Sequence, residues 1–227
     1  MPRSSSATCA CGGYRERPVT YRTIGVAALR ALLVVLLVYG LLLGLHAISL
    51  TGNGWRASGA EWLFGLVLFV ALLSMPIAVV CLASPRLRGR AANWVISLVA
   101  LIVSSFSAAR TANAIRMHGF ALAAERAAPL VAAIERYERD HGMPPVIFSA
   151  LVPRYILAIP DGLPPLELIT GDRARQQYRG NEWVLVASVP QGFINFDQFM
   201  YFPNGDYPDH GYGGSIERVA GWAYVHE

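Results

Sequence analysis

Three long apolar stretches in the first half of the chain constrain its fold more than any other feature. They cover positions 31–50, 62–83 and 92–109. Each approaches the roughly 20 residues that a helix needs to cross the hydrocarbon of a bilayer. None alternates with a period of two, and in lipid only a helix or a closed barrel satisfies its own backbone. The sequence therefore predicts a membrane domain of three transmembrane α-helices over positions 31–109.

The distribution of arginine predicts how these helices are oriented. The chain has 19 arginines and no lysine, which is typical of a GC-rich bacterial genome. Positions 1–30 carry five arginines and one acid, loop 84–91 carries three arginines and no acid, and loop 51–61 carries one of each. Basic loops stay in the cytoplasm. We therefore expect a bacterial inner-membrane protein with a cytoplasmic basic tail over 1–30 and a periplasmic or extracellular domain over 110–227.

Charge also argues against a nucleic-acid partner. Positions 1–109 hold nine arginines and two acids, a formal charge of +7, whereas positions 110–227 hold ten arginines and 13 acids, a charge of −3. The basic character therefore belongs to the cytoplasmic face of the membrane domain. Attraction to anionic lipid headgroups accounts for it, so the predicted partner is the lipid bilayer.

Gly40 and Gly44 form a G-x-x-x-G pattern within the first apolar stretch. Small residues at this spacing let two helix backbones approach closely in lipid. The favoured interpretation is packing within the three-helix bundle, and the alternative is self-association of two chains.

The last 118 residues predict a small α+β domain with a long helix on an antiparallel sheet. The third helix is expected to continue to about residue 116, with Gly119 interrupting it before a second helix over 120–141. Strand-like runs rich in β-branched and aromatic residues follow at 166–170, 182–190, 197–202 and 221–226. In the second run both faces are apolar, which predicts an interior strand under the helix.

Short motifs in this domain resemble a known family. The segments AIERY at 133–137 and DHGMP at 140–144 precede LVPRY at 151–155 and IP at 159–160. This order is similar to the start of the globular domain of type II secretion major pseudopilins and related type IV pilin-like proteins. The resemblance implies a pilin-like fold for the domain. Pilins have one N-terminal helix, whereas this helix is the third of three, so a fibre-forming pilin is not implied.

The resemblance also implies a possible metal site, because pseudopilin domains often hold calcium in a C-terminal acidic loop. The comparable stretch is 202–210, where Asn204, Asp206 and Asp209 offer the oxygen ligands that calcium prefers. The alternative is a set of solvated turns, since turns use the same residue types. No other cofactor is predicted.

Aromatic residues crowd the same region, and they suggest a binding module. Most are expected to fill the core of a small domain. Tyr207 and Tyr212 lie in a Gly/Pro-rich loop and are the candidate ligand contacts. No catalytic fingerprint occurs, since Ser215 lacks a G-x-S-x-G elbow and there is no H-E-x-x-H motif or P-loop.

These features predict a non-catalytic membrane protein. The expected role is a scaffold, accessory or recognition subunit of a bacterial envelope complex of secretion or pilus-like type, with protein partners or self-association through the transmembrane helices. The alternative is a membrane-anchored domain that senses calcium or another ligand.

Overall fold

The computed structural model of the protein describes residues 21–49, 58–190 and 196–226. Positions 1–20 of the predicted basic tail lie outside the described residues, as do residue 50 at the end of the first predicted span, positions 51–57 and residue 227.

Among the described residues, three long helices occupy the apolar part of the chain: α1 (Tyr21–Ser49), α2 (Ser58–Cys81) and α3 (Arg88–His141). All three are long and apolar enough to cross a membrane, with the apolar part of α1 at Gly25–Gly44 and that of α2 at Phe64–Cys81. Each begins earlier than the hydrophobic stretch that predicted it. The helices extend beyond the apolar stretches because polar residues at a helix end can make the same backbone hydrogen bonds as apolar residues.

α3 is one continuous helix of 54 residues, and the predicted interruption at Gly119 is wrong. Glycine costs a helix only about 1 kcal/mol relative to alanine. Gly119 is buried beside the fully buried Phe120, so packing on the sheet outweighs that cost. Pro129 also lies inside α3, exposed between the buried Ala127 and Leu130.

The end of α3 follows its sequence. Gly142 adopts the left-handed conformation with φ of 70° and donates its N–H to the carbonyl of Glu138 at 2.8 Å. This is the usual glycine C-cap, and Pro144 and Pro145 follow, neither of which can continue a helix.

α3 packs on both other helices. Buried Val38 and Leu42 of α1 meet Ala108 of α3, and Tyr39 donates a hydrogen bond to Ser107. Ser104 of α3 is buried too, one turn before Ala108. Small residues of α3 therefore serve packing within the chain.

In the part of the chain that the structure describes, six strands form one sheet in which every paired neighbour is antiparallel. In chain order they are β1 (Leu166–Thr170), β2 (Trp183–Ser188), β3 (Gln198–Tyr201), β4 (His210–Gly211), β5 (Gly214–Val219) and β6 (Trp222–His226). The order across the sheet is β1-β2-β3-β6-β5-β4. A 3₁₀ turn (Phe148–Leu151) follows α3, and a short helix, α4 (Gly171–Gln177), joins β1 to β2. The predicted antiparallel sheet after a long helix is confirmed.

The sheet has an apolar core on each face. Trp183, Leu185 and Ala187 of β2 pack in the cluster that contains the buried side of α3. Val184 and Val186 pack in a second cluster with Ala174 of α4, Tyr178 and Phe202. β2 pairs on both edges, with β1 and β3, so the predicted interior strand under the helix is confirmed.

Among the described residues, tight hairpins connect β4 to β5 and β5 to β6. The β4–β5 loop is Tyr212-Gly213, with φ of 55° and 99°, and the β5–β6 loop is Ala220-Gly221, with φ of 49° and 82°. Positive φ at both central positions is the geometry whose twist matches antiparallel strands. Only the second residue of each pair is glycine, so Tyr212 and Ala220 hold a conformation that side chains disfavour.

Candidate functional site

The loop predicted to bind calcium follows β3 and is held by short-range and long-range hydrogen bonds. The side-chain oxygen of Asn204 accepts the N–H of Asp206 at 2.9 Å, which is an Asx turn. The backbone N–H of Asn204 donates to the Asn181 side chain at 3.1 Å, and its amide nitrogen donates to the carbonyl of Arg179 at 3.2 Å. The Asn204 side chain therefore fixes the loop to the segment that precedes β2.

The carboxylate of Asp206 has a cationic partner. Arg179 Nε donates to Asp206 Oδ2 at 2.7 Å, and both side chains are about half exposed. This hydrogen bond raises the pKa of the Arg179 guanidinium. Asp209 is exposed, and its backbone carbonyl accepts the N–H of Ile216 at 3.3 Å. Among the described residues no three His, Cys, Asp or Glu side chains gather into a possible metal site, and calcium binding through Asn204, Asp206 and Asp209 stays a prediction.

Tyr207 lies in the core and not at the exposed position that its loop suggested, and its role as a ligand contact stays a prediction. Its side chain is 6% exposed, and its ring stacks on Phe202 with centroids 4.7 Å apart. Its hydroxyl accepts the N–H of Phe202 at 2.8 Å and donates to the carbonyl of Gly221 at 3.0 Å. Burial raises the pKa of Tyr207 to about 12. The residue joins the loop to the β5–β6 hairpin.

Tyr212 is half-buried. Its ring stacks on that of Tyr178, with centroids 5.5 Å apart and planes 9° apart, and meets Phe202 edge-on at 5.8 Å. Burial raises the pKa of Tyr212, and the nearby Arg179 lowers it. Tyr212 thus covers the second core of the sheet and leaves part of its ring at the surface.

Gly40 and Gly44 face outward from the bundle, which differs from the favoured interpretation of the sequence. Both glycines are exposed, and a Cβ at either position would meet no atom within 4 Å. α1 instead packs on α3 through Val38 and Leu42, on its other side. The two glycines are therefore available to a second helix from outside this chain.

A buried polar cluster that the sequence did not reveal lies where α3 meets the sheet. The Arg116 side chain donates to the carbonyl of Val189, and its guanidinium lies 5.1 Å from the Phe120 ring centroid and 5.6 Å from that of Tyr224. The Tyr224 hydroxyl donates to the fully buried carboxylate of Asp197. His226 Nδ1 lies 3.4 Å from the same carboxylate.

The electrostatics of this cluster follow from burial. Burial raises the pKa of Tyr224, and the hydrogen bond to Asp197 raises it further, while the charge of Arg116 lowers it.

The sequence contained a signal for this cluster, because Arg116 lies four residues after Ala112 and four before Phe120. An arginine within a stripe of buried positions must find its partners in the domain core.

The opposite end of the domain carries an exposed apolar surface. We call it the distal surface, and its members are Met143, Val146, Ile147, Val152 and Leu157. Leu157 is the most exposed of them, at 87%. Beneath the surface, Tyr155 donates to Asp140 at 2.7 Å and Arg136 donates to the Tyr155 carbonyl at 2.8 Å. The segment that carries the distal surface is therefore fixed to the last turns of α3.

Comparisons of the chain with protein-family models, with curated proteins and with solved structures found no match.

Proposed function

We propose that the chain is a non-catalytic integral membrane protein of the bacterial inner membrane, acting as a scaffold, accessory or recognition subunit of an envelope complex. The observation that carries this proposal is the continuity of α3, which runs unbroken from its apolar half into the core of the sheet domain. A single helix that serves both parts holds the domain at a set height and angle above the bilayer.

Exposed apolar side chains on the helices support insertion into a membrane. Leu37 of α1 is 70% exposed, Val80 of α2 is 74% exposed and Phe106 of α3 is 64% exposed. Large exposed apolar surfaces of this kind mark contact with lipid or with other proteins. The arginines of the 84–91 loop and Arg30 then lie at the cytoplasmic ends of the helices. This orientation puts residues 110–227 in the periplasm or outside the cell.

Rigidity at the base of the domain supports a positioning role. Arg116 lies about four turns before the fully buried Leu130 and is itself 3% exposed. Its bond to Val189 and its contacts with two aromatic rings tie α3 to the sheet at the membrane end. At the far end, Trp183 Nε1 donates to Glu138 Oε2 at 3.0 Å. α3 is thus fixed to the sheet at both ends of the domain.

The distal surface is the proposed contact for a protein partner. From position 110 to position 141, α3 rises about 46 Å, at about 1.5 Å per residue. Lipid of the same membrane does not reach that height, so a protein of the envelope is the occupant that fits an apolar surface there. The long helix packed on an antiparallel sheet also supports the pilin-like arrangement implied by the short motifs.

The experiment is site-specific photo-crosslinking of the full chain in intact cells. A photoreactive residue at Val146 or Leu157 should crosslink the same envelope protein, whereas one at Glu217, exposed on β5, should not. A phosphatase reporter fused after Glu227 should be active, and one fused at Arg88 inactive, if the orientation is right.

A second variant separates specific contact from chance proximity. Val146→Glu together with Leu157→Glu should abolish co-purification of the crosslinked partner while leaving the thermal stability unchanged, because both side chains are exposed. Equal crosslinking from Val146, Leu157 and Glu217, or no adduct beyond the chain itself, would contradict the recognition role.

A further inference from the structure

A groove between α1 and α3 opens at the end of the helices that carries the basic residues. Its volume is about 670 Å³. Arg30, Leu33 and Val34 of α1 form one wall, and the other wall consists of Arg90, Asn93, Trp94 and Ser97 of α3. Each helix therefore contributes one arginine to the lining of the groove.

The two arginines carry charge that no acidic side chain in the described part of the chain neutralises. Among the described residues neither Arg30 nor Arg90 has an ion pair with an acidic side chain. The first turns of α1 and α3 contain no acidic residue, and the 84–91 loop adds Arg86 and Arg88. Two guanidinium groups beside one groove attract a phosphate, because the planar fork of arginine donates paired hydrogen bonds to its oxygens.

The surroundings of the arginines change from polar to apolar along the groove. Trp94 is 64% exposed, and tryptophan prefers the level of lipid headgroups. Leu33 and Val34 continue the α1 wall toward the hydrocarbon. This polarity matches a molecule with an anionic head and an apolar tail.

A second groove lies on the other side of Arg90 and Trp94. It runs between α2 and α3, has a volume of about 270 Å³ and includes Ile77, Ala78 and Leu98 in its apolar lining. Arg90 and Trp94 border both grooves. An acyl chain therefore has an apolar path directly beside the basic pair.

We propose that the groove between α1 and α3 binds the phosphate headgroup of an anionic phospholipid from the cytoplasmic leaflet. Basic pockets between transmembrane helices on the cytoplasmic side are suited to such headgroups. The site rests on the proposed membrane insertion and gives the three-helix anchor a defined lipid partner. Its effect is to fix α1 against α3, and with it the base of the helix that carries the domain.

The test is native mass spectrometry of the full chain released from detergent micelles, with phosphatidylglycerol and phosphatidylcholine of the same acyl chains. The protein should retain phosphatidylglycerol in preference to phosphatidylcholine. Arg30→Gln with Arg90→Gln should weaken this binding by at least about tenfold, because each substitution removes a charge-assisted hydrogen bond to the phosphate in addition to a charge. The matched control, Arg86→Gln with Arg88→Gln, removes the same charge nearby and should retain most of the binding.

Each alternative result has a defined meaning. Equal loss in the two double variants, or no preference for phosphatidylglycerol, would overturn the site and leave only diffuse surface attraction. Displacement of the lipid by excess inorganic phosphate would show a free-phosphate site and would also overturn the proposal. Membrane insertion is read separately, by retention in the membrane fraction after an alkaline wash. Release of the wild-type chain from the membrane fraction by this wash would contradict the proposed function itself.

Discussion

Tyr207 connects two parts of the sheet domain through a single hydroxyl. Because that hydroxyl both accepts from Phe202 and donates to Gly221, Tyr207→Phe leaves a backbone donor and a backbone acceptor without their partner. We expect the free energy of unfolding to fall by about 1–3 kcal/mol. Thermal or denaturant unfolding of the full chain in detergent measures this loss.

Tyr212→Phe is the matched control, since no hydrogen-bond partner of the Tyr212 hydroxyl is found among the described residues and its ring contacts survive the change. We expect that control to stay close to the wild type. An equal loss in the two variants would contradict the hydrogen-bonding role of Tyr207.

The raised pKa of Tyr207 also predicts a dependence on alkaline pH. In the unfolded chain a tyrosine ionises near pH 10, whereas burial raises the pKa of Tyr207 to about 12 in the folded protein. The folded state then keeps a proton that the unfolded state releases. Stability is unaffected below about pH 10 and decreases as the pH rises toward 12. The decrease should be less steep in Tyr207→Phe, and an identical slope would be contrary to this expectation.

The predicted calcium-binding loop, 202–210, shows what residue spacing cannot predict. The sequence correctly marks 202–210 as a turn-rich segment with oxygen ligands. It does not show that Arg179, 27 residues before Asp206, pairs with that carboxylate. Nor does it show that Tyr207 turns inward, because the β5–β6 hairpin that accepts its hydrogen bond is distant in sequence. Both outcomes depend on how the strands pair.

Elements with strong local signals were predictable. The predicted strand 166–170 matches β1, and the predictions for β2, β3 and β6 are within a few residues. β4 and β5 were missed because Gly211, Gly213 and Gly214 weaken the strand pattern around them. α4 was missed because its seven residues are mostly polar and show no apolar face. This segment forms a helix because Ala174 is buried against the sheet, and its own sequence pattern does not indicate a helix.

α3 offers a direct test of how packing overrides local propensity. A proline inside a helix removes one backbone hydrogen bond and crowds the preceding turn, at a cost of about 3 kcal/mol. Pro129 is exposed, so Pro129→Ala restores the hydrogen bond without disturbing the core. We expect this variant to gain about 1–3 kcal/mol in unfolding free energy, measured by chemical denaturation.

The exposed neighbour Ala128 supplies the opposite control. Ala128→Gly should lose about 1 kcal/mol through helix propensity alone. If Pro129→Ala destabilised the protein, α3 would not be a regular helix at this point, and the rigid link between the apolar half of α3 and the domain would need revision.

For the whole molecule, the sequence predicts which residues of α1 share a face but not which face meets α3. Gly40 and Gly44 are four residues apart and so lie on one side, and Val38 and Leu42 are related in the same way. The structure assigns the second pair to the contact with α3 and leaves the glycines exposed. That assignment depends on the small residues of α3 that complement Val38 and Leu42. The sequence of α1 alone does not identify this partner surface.

The exposed glycines make self-association through α1 the expected assembly of the molecule in lipid. Close approach of two backbones at a G-x-x-x-G face gains packing that larger side chains prevent. Gly40→Leu with Gly44→Leu should therefore lower the dimer fraction, measured by energy transfer between labelled chains in vesicles. The chain itself should fold normally, because a Cβ at either position meets nothing within 4 Å.

Gly65→Leu is the matched control, since Gly65 is an exposed glycine of α2 that also has open space around it but no glycine four residues away. This variant should keep the wild-type dimer fraction. Equal effects at the two sites would show a loss of general helix packing and not of a specific face. If neither variant changed the dimer fraction, the Gly40–Gly44 face would not be an association surface, and any assembly would use another surface of the chain.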